Sequence, residues 1–281
     1  MIWIFKRLEC LASYQKECLL GRRYGIIEKM TSAEYELKKI WPVVNRLCNF
    51  FLFAKKIEVE GRNNFVEEGP NIIVGNHIGT FKDVATILKI VPRPIFFTAN
   101  KMIFNKDDFD LLIKTHLQRH LDTFGYFLNL VLGPFKKRFI QFISSNITKV
   151  GTIPVDLTGR KSLAIKKCQE YVKNGRAIIA LQGIGRMNKK DPHPYISSFR
   201  RGPSIISYNL FSENDIAVAV TPMAFFGTHH PVIIPGKIKV NIGEPMFVSD
   251  YMANSASATV EKFRSAMEQR VKELFIELVR I

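Results

Sequence analysis

The chain has 281 residues, with 41 Lys and Arg against 25 Asp and Glu, a formal charge of +16, and 47% hydrophobic residues. That balance excludes a disordered or collagen-like chain and suits one large domain or two small ones. The basic charge is concentrated: residues 136–201 hold 15 Lys and Arg against Asp156, Glu170 and Asp191. Such a segment should face something anionic, whether nucleic acid, an anionic membrane surface or a phosphorylated ligand.

Residues 1–56 read as a helical, amphipathic region. Trp3, Phe5, Leu8, Leu11 and Ala12 recur at helical spacing, and Ser32 can cap a second helix. The patch Phe50-Phe51-Leu52-Phe53 beside Lys55 and Lys56 suits a buried helix or an interfacial anchor. The start lacks the long apolar core and small-residue cleavage site of a signal peptide.

From residue 57 the texture changes to short apolar runs alternating with helical spacing. Ile57–Glu60, Asn71–Val74 and Ile95–Phe97 read as strands, and residues 83–91 as a helix stopped by Pro92 and Pro94. Residues 105–148 read as mainly helical, and Ser162–Asn174 as a helix closing on Gly175. Ala177–Leu181, Ile216–Met223 and Ile238–Ile242 read as further strands. The uncharged run Ile216–Gly236 is long enough to span a bilayer. Its three prolines, Gly227, His229 and His230 make it instead two buried strands with a turn. Val260, Phe263, Met267, Val271, Leu274 and Leu278 then line one face of a closing amphipathic helix. The alternation predicts an α/β fold: a mixed, largely parallel sheet flanked by helices, with an N-terminal helical region (1–56) and one α/β domain (57–281) that includes the C-terminal helix. Cys10, Cys18, Cys48 and Cys168 are scattered without metal-ligand spacing, which predicts a reducing compartment and no metal.

Three segments could carry chemistry. In Asn76-His77-Ile-Gly-Thr-Phe-Lys-Asp83, a His follows a buried strand and a carboxylate opens the next helix. A carboxylate on one ring nitrogen fixes the tautomer and leaves the other nitrogen as a general base. Gly151-Thr-Ile-Pro-Val-Asp156 is the second segment. The third is Leu181-Gln182-Gly183-Ile-Gly185-Arg186, whose glycines permit close backbone approach and whose Arg offers a fork for phosphate. Each has a bland alternative: a helix-capping Asp with a loop His, and a surface turn with a solvated Arg.

The order of these segments resembles the glycerolipid acyltransferase family, which includes lysophosphatidate and glycerol-phosphate acyltransferases, over about Ile57 to Pro245. Asn76-His77…Asp83 is similar to its His-x4-Asp box, Phe97–Phe104 to its Lys-containing turn, and Val150–Asp156 to its second block. Leu181–Arg186 stands in the place of its Phe-Pro-Glu-Gly-Thr-Arg block; Ser198–Pro203, Val220–Pro222 and Ile242–Pro245 follow in the family's order. The chain also departs from the pattern. Five residues separate His77 from Asp83 where the family has four, so either the loop absorbs the extra residue or Asp83 is displaced. Leu157 stands where an Arg is usual, with Arg160 or Lys161 nearby; the usual Glu is missing, its place falling on Gly183 without a gap or, sliding by one, on Gln182, the alignment preferred because it keeps a polar side chain and the Gly.

The resemblance implies transfer of a fatty acyl group from a thioester donor, acyl-CoA or acyl-carrier protein, to a hydroxyl of a glycerol phosphate or lysophospholipid. His77 would be the base and Asp83 its support. Arg186, Gly183, Gln182, Lys101 and Arg160 would hold the substrate phosphate, and the segment Phe124–Phe135 the acyl chain. It implies no metal and no cofactor beyond the co-substrate, and residence as a peripheral protein on the cytoplasmic face of an anionic membrane. Nucleic acid is disfavoured, since no finger, RNP-like or basic-zipper pattern occurs. The alternative is a member that has lost catalysis and binds lipid or a partner at membranes.

Overall fold

The computed structural model describes residues 32–115, 133–156, 162–183, 187 and 193–280. The helical reading of residues 1–31 and most of the Phe124–Phe135 segment lie outside these, as do Leu157, Arg160, Lys161 and Arg186. Seven strands form one sheet: β1 (Lys55–Glu60), β2 (Asn71–His77), β3 (Ile95–Asn100), β4 (Ile153–Val155), β5 (Ala177–Gly183), β6 (Ala219–Phe226) and β7 (Gly236–Ile242). Their order is β1-β7-β6-β2-β5-β3-β4, and every pair is parallel except the antiparallel β6–β7. The predicted α/β class, with its largely parallel sheet and flanking helices, is what the chain adopts. The helices are α1 (Ser32–Phe51), α2 (Phe81–Ile90), α3 (residues 106–115), α4 (Gly133–Asn146), α5 (Ser162–Lys173), α6 (Gly202–Asn214) and α7 (Ala256–Arg280).

The central strands are buried on both faces, which is why Ile72, Ile73, Val74, Ile178 and Ile179 form near-continuous apolar runs rather than alternating ones. One face packs on α5, α6 and α7 through Ile72, Val74, Ile178, Val220, Phe263, Met267 and Val271. The other packs on α1 and α2 through Ile73, Ile179, Phe225, Cys48, Leu52 and Ile87. The Phe50–Phe53 patch divides between the two expected roles: Leu52 is buried and Phe51 stacks on Phe81, whereas Phe50 and Phe53 are 52% and 64% exposed. Alternate sides of a helix end thus serve core and surface.

Two features differ from the expected elements. The uncharged run 216–236 contains one strand, β6, followed by a loop; the second strand begins only at Gly236. Pro231 and Pro235 lie in that loop and flank Ile233 and Ile234, which are 80% and 50% exposed. Helix α6 had no visible signature, because Ser204 and Ser207 sit fully buried beside Ile206 and Leu210 and erase the apolar stripe.

Because β2, β3, β4, β5 and β6 all run the same way, their C-terminal ends collect along one edge of the sheet. That edge carries His77, Lys101, Asp156, Gly183 and the segment Gly227–His230. Functional crevices of open α/β sheets lie at such edges.

Candidate active site

Strand β2 ends in His77, and its neighbour Asn76 anchors that end. The Asn76 amide, fully buried, donates to Tyr195 O (3.1 Å) and Phe225 O (3.0 Å), and its oxygen accepts from Phe225 N (2.8 Å). These bonds tie β2, β6 and the 193–199 segment together one residue from the imidazole. On the other side, the β2–β5 register sets His77 against Gly183 and Asn76 against Gln182. Gly183 has φ +131, and a β-carbon there would stand 2.9 Å from His77 O and 3.4 Å from His77 Cβ. A glycine is required for the strand to pass that closely.

His77 Nδ1 lies 2.8 Å from Asp83 Oδ2. The same oxygen accepts from Ile78 N at 3.0 Å and Gly79 N at 2.7 Å. Asp83 is fully buried in the first turn of α2, while the His77 side chain remains 23% exposed. Asp83 is therefore not displaced by the five-residue spacing. The turn absorbs it at Thr80, whose φ of +52 and ψ of −116 are unusual for a residue with a β-carbon. Backbone strain of that kind costs about 1–3 kcal/mol and persists where its surroundings over-determine it. Here the surroundings are two main-chain amides, a carboxylate and a ring nitrogen held in one cluster. A carboxylate oxygen held by two main-chain donors is well placed to fix the imidazole tautomer. Nε2, the nitrogen that faces outward from the pair, makes no hydrogen bond among the described residues.

The residues expected to hold a phosphate are distributed differently. Lys101, at the end of β3, forms an ion pair with Asp156 beyond β4 at 2.5 Å. This contact links two of the sequence segments singled out above. Gln182 is 4% exposed: its amide donates to Ala180 O (2.9 Å) and its oxygen accepts from Arg200 N (2.9 Å). It thereby holds the 199–201 segment against the sheet. Gly183 touches His77. Arg186 and Arg160 fall outside the described residues.

The structure adds groups the sequence reading passed over. Lys82 Nζ donates to His230 O at 2.6 Å, and burial pushes the Lys82 amine down, with nearby Lys55 acting the same way and Asp83 opposing. His229 stands among Tyr195, Phe226 and His230. Burial lowers its imidazole to about 4, and His230, Lys82 and Lys55 contribute in the same direction against Asp83. It is therefore neutral near pH 7. Thr228 is fully buried against Gly79. Lys82 stands inside the His77–Asp83 motif itself, whereas the sign of the others in the sequence was a His pair after an apolar run, whose relevance depends on β6 running parallel to β2. Among the described residues, no group of His, Cys, Asp and Glu could hold a metal ion.

Alongside the pair, Phe51, Phe81, Phe109 and Phe139 bring α1 to α4 into ring contact, with centroids 5.3 to 6.3 Å apart. Phe81 opens the helix that carries Asp83, so this apolar wall adjoins the polar cluster. No helix among the described residues is long and apolar enough to cross a membrane.

No protein-family model matches the sequence, and no curated protein does. Among solved structures, the chain is similar to the crystal structure of the 1-acyl-sn-glycerophosphate (LPA) acyltransferase, PlsC, from Thermotoga maritima. The identity is 21% and the TM-score 0.53, over 99% of this chain and 98% of that one. At that identity the likeness is one of fold.

Proposed function

We propose that the protein is an acyltransferase that moves a fatty acyl group from a thioester donor to a hydroxyl of a glycerol phosphate or lysophospholipid. The observation that carries this reading is the His77–Asp83 pair at 2.8 Å, placed at the functional edge of a fold shared with a lysophosphatidate acyltransferase.

In this mechanism Asp83 holds the Nδ1 proton of His77, and Nε2 removes the proton of the acceptor hydroxyl as its oxygen attacks the thioester carbonyl. Negative charge develops on the carbonyl oxygen while the imidazolium forms beside the buried carboxylate, which stabilises it. The tetrahedral intermediate then collapses, the C–S bond breaks, and the departing thiolate takes the proton back from His77. No protein nucleophile is required. Cys48 and Cys168 are buried, and burial pushes the Cys168 thiol up to about 12.

For the acceptor phosphate we assign Lys101, Arg186 and Arg160 as cations. Gln182 and Gly183 act on the backbone that shapes this side of the crevice. The aromatic wall at Phe81 and Phe139 is a surface on which an acyl chain could rest. Exposed Phe50 and Phe135, whose rings lie 5.9 Å apart, together with the basic 136–201 segment support residence on an anionic membrane surface.

The test incubates purified protein with labelled acyl-CoA or acyl-carrier protein and a panel of lysophospholipids and glycerol 3-phosphate, beside His77→Ala. Transfer that falls at least a hundredfold in the variant is expected. Absence of transfer to every acceptor with both donors would sink the reading. One observation favours a second reading, a lipid-binding member without catalysis: Gln182, in place of the usual Glu, is engaged with the main chain at both ends of its amide. Lipid binding undiminished in His77→Ala, without transfer, is its signature.

A further inference from the structure

Three buried polar atoms from neighbouring parts of the site lack a hydrogen-bond partner among the described residues: Asp83 Oδ1, Thr228 Oγ1 and His229 Nδ1. Their proximity follows from independent observations. Gly79 N donates to Asp83 Oδ2, and a β-carbon on Gly79 would stand 2.4 Å from Thr228 Cβ and 2.6 Å from its Oγ1. Thr228 therefore packs directly over the residue that binds Asp83. His229 follows in the chain and interacts electrostatically with Asp83.

The Asp83 carboxylate is unevenly satisfied. Oδ2 accepts from three donors, and Oδ1 from none among the described residues. Leaving a buried acceptor unsatisfied is costly, and more so for a charged one. Buried water occurs about once per 27 residues and commonly satisfies about three such groups. A carboxylate oxygen, a hydroxyl and a neutral imidazole nitrogen form a set that one water can serve: the carboxylate accepts, and the hydroxyl and ring nitrogen can each take either role.

We propose that a buried water joins Thr228 Oγ1 and His229 Nδ1 to Asp83 Oδ1, and that Thr228 is thereby a positioning residue for the His77–Asp83 pair. With both oxygens held, the carboxylate cannot swing about its terminal bond, and the imidazole stays aimed. Thr228 touches no reacting atom; it acts through Asp83. The bland competitor is that Thr228 is a small residue chosen for its fit against Gly79. The consequence for rate rests on the acyl-transfer reading, whereas the water and the restraint on the pair do not.

The test uses the full chain as wild type, Thr228→Val and Thr228→Ser. Val keeps the shape and removes the hydroxyl; Ser keeps the hydroxyl. The first readout is electron density in a high-resolution crystal structure of the wild type, where a water within hydrogen-bond distance of Asp83 Oδ1 and Thr228 Oγ1 is expected. The second is solvent exchange of the downfield NMR resonance of the His77 Nδ1 proton, which reports opening of the pair. Loss of the bridge in Thr228→Val should speed that exchange about tenfold to a hundredfold, and Thr228→Ser should stay within about threefold of wild type. No water in the wild type overturns the proposal, even if the Val variant fails to fold. Unchanged exchange in Val overturns it too, and equal damage in Ser and Val assigns Thr228 to packing instead. In the transfer assay, kcat should fall about tenfold in Thr228→Val at unchanged KM. A wild type that transfers nothing would remove the acyl-transfer reading and leave density and exchange to decide this one.

Discussion

Replacing Asp83 by Asn separates charge from geometry at this site. Asp83 Oδ2 accepts from His77 Nδ1, Ile78 N and Gly79 N at 2.8, 3.0 and 2.7 Å. An Asn that puts its oxygen in the same place keeps all three bonds and the same imidazole tautomer. The flipped amide would aim its NH2 at two main-chain donors, which those distances forbid. The variant should therefore fold, and His77 should stay oriented, but the negative charge is gone. With charge centres about 4 Å apart and an effective dielectric constant of about 20, the lost attraction to the imidazolium is about 4 kcal/mol. At about 1.4 kcal/mol per tenfold, that is close to a thousandfold in kcat. The assay is steady-state transfer from acyl-CoA to the best acceptor, with urea unfolding in parallel to show that the fold survives. Transfer within tenfold of wild type in a folded Asp83→Asn protein would refute the claim that a buried carboxylate stabilises a developing imidazolium.

Two more outcomes follow from the same edge of the sheet. His229 is held down to about 4 in the folded protein, so the unfolded chain takes up a proton more readily. The stability this represents is complete above about pH 6.5 and is lost as pH falls toward 4. Allowing for solvent screening of a half-buried ring, it amounts to about 2 kcal/mol; urea unfolding at pH 7 and 4.5 should show His229→Gln losing that much less than wild type, and equal losses would refute it. Gly183→Ala would bring a β-carbon to 2.9 Å from His77 O at φ +131. We expect a stability loss of about 2–4 kcal/mol from strain and overpacking together, with kcat falling at least tenfold as His77 shifts. A variant with wild-type unfolding and rate would show that the close approach of β2 and β5 is not needed.

Much of the fold was written in local patterns. The doubly buried strands around Ile72 and Ile178 are short apolar runs, helix α7 repeats its apolar face every three or four residues, and Gly175 closes α5 with φ +72. Helix α6 was not legible, because Ser204 and Ser207 are buried among its apolar residues and break the stripe a core-facing helix shows. The loop after β6 was misread as the start of a strand, since apolar character alone does not distinguish exposed Ile233 and Ile234 from core.

The candidate site divides the same way. The sequence by itself determined that a His ends a buried strand, that an Asp opens the next helix six residues on, and that basic charge gathers over 136–201. It could not determine whether the odd spacing lets the two side chains meet; the positive φ of Thr80 decides that, and such a conformation is stable only inside the assembled turn. Nor could it place Thr228, His229 and His230, because their nearness to Asp83 depends on a parallel β2–β6 pairing across 150 residues of chain. Residue patterns determine what lies within a helical turn or a strand. Which groups share a buried polar cluster is decided by strand order, because only the sheet brings residues so distant in sequence to the neighbourhood of one carboxylate.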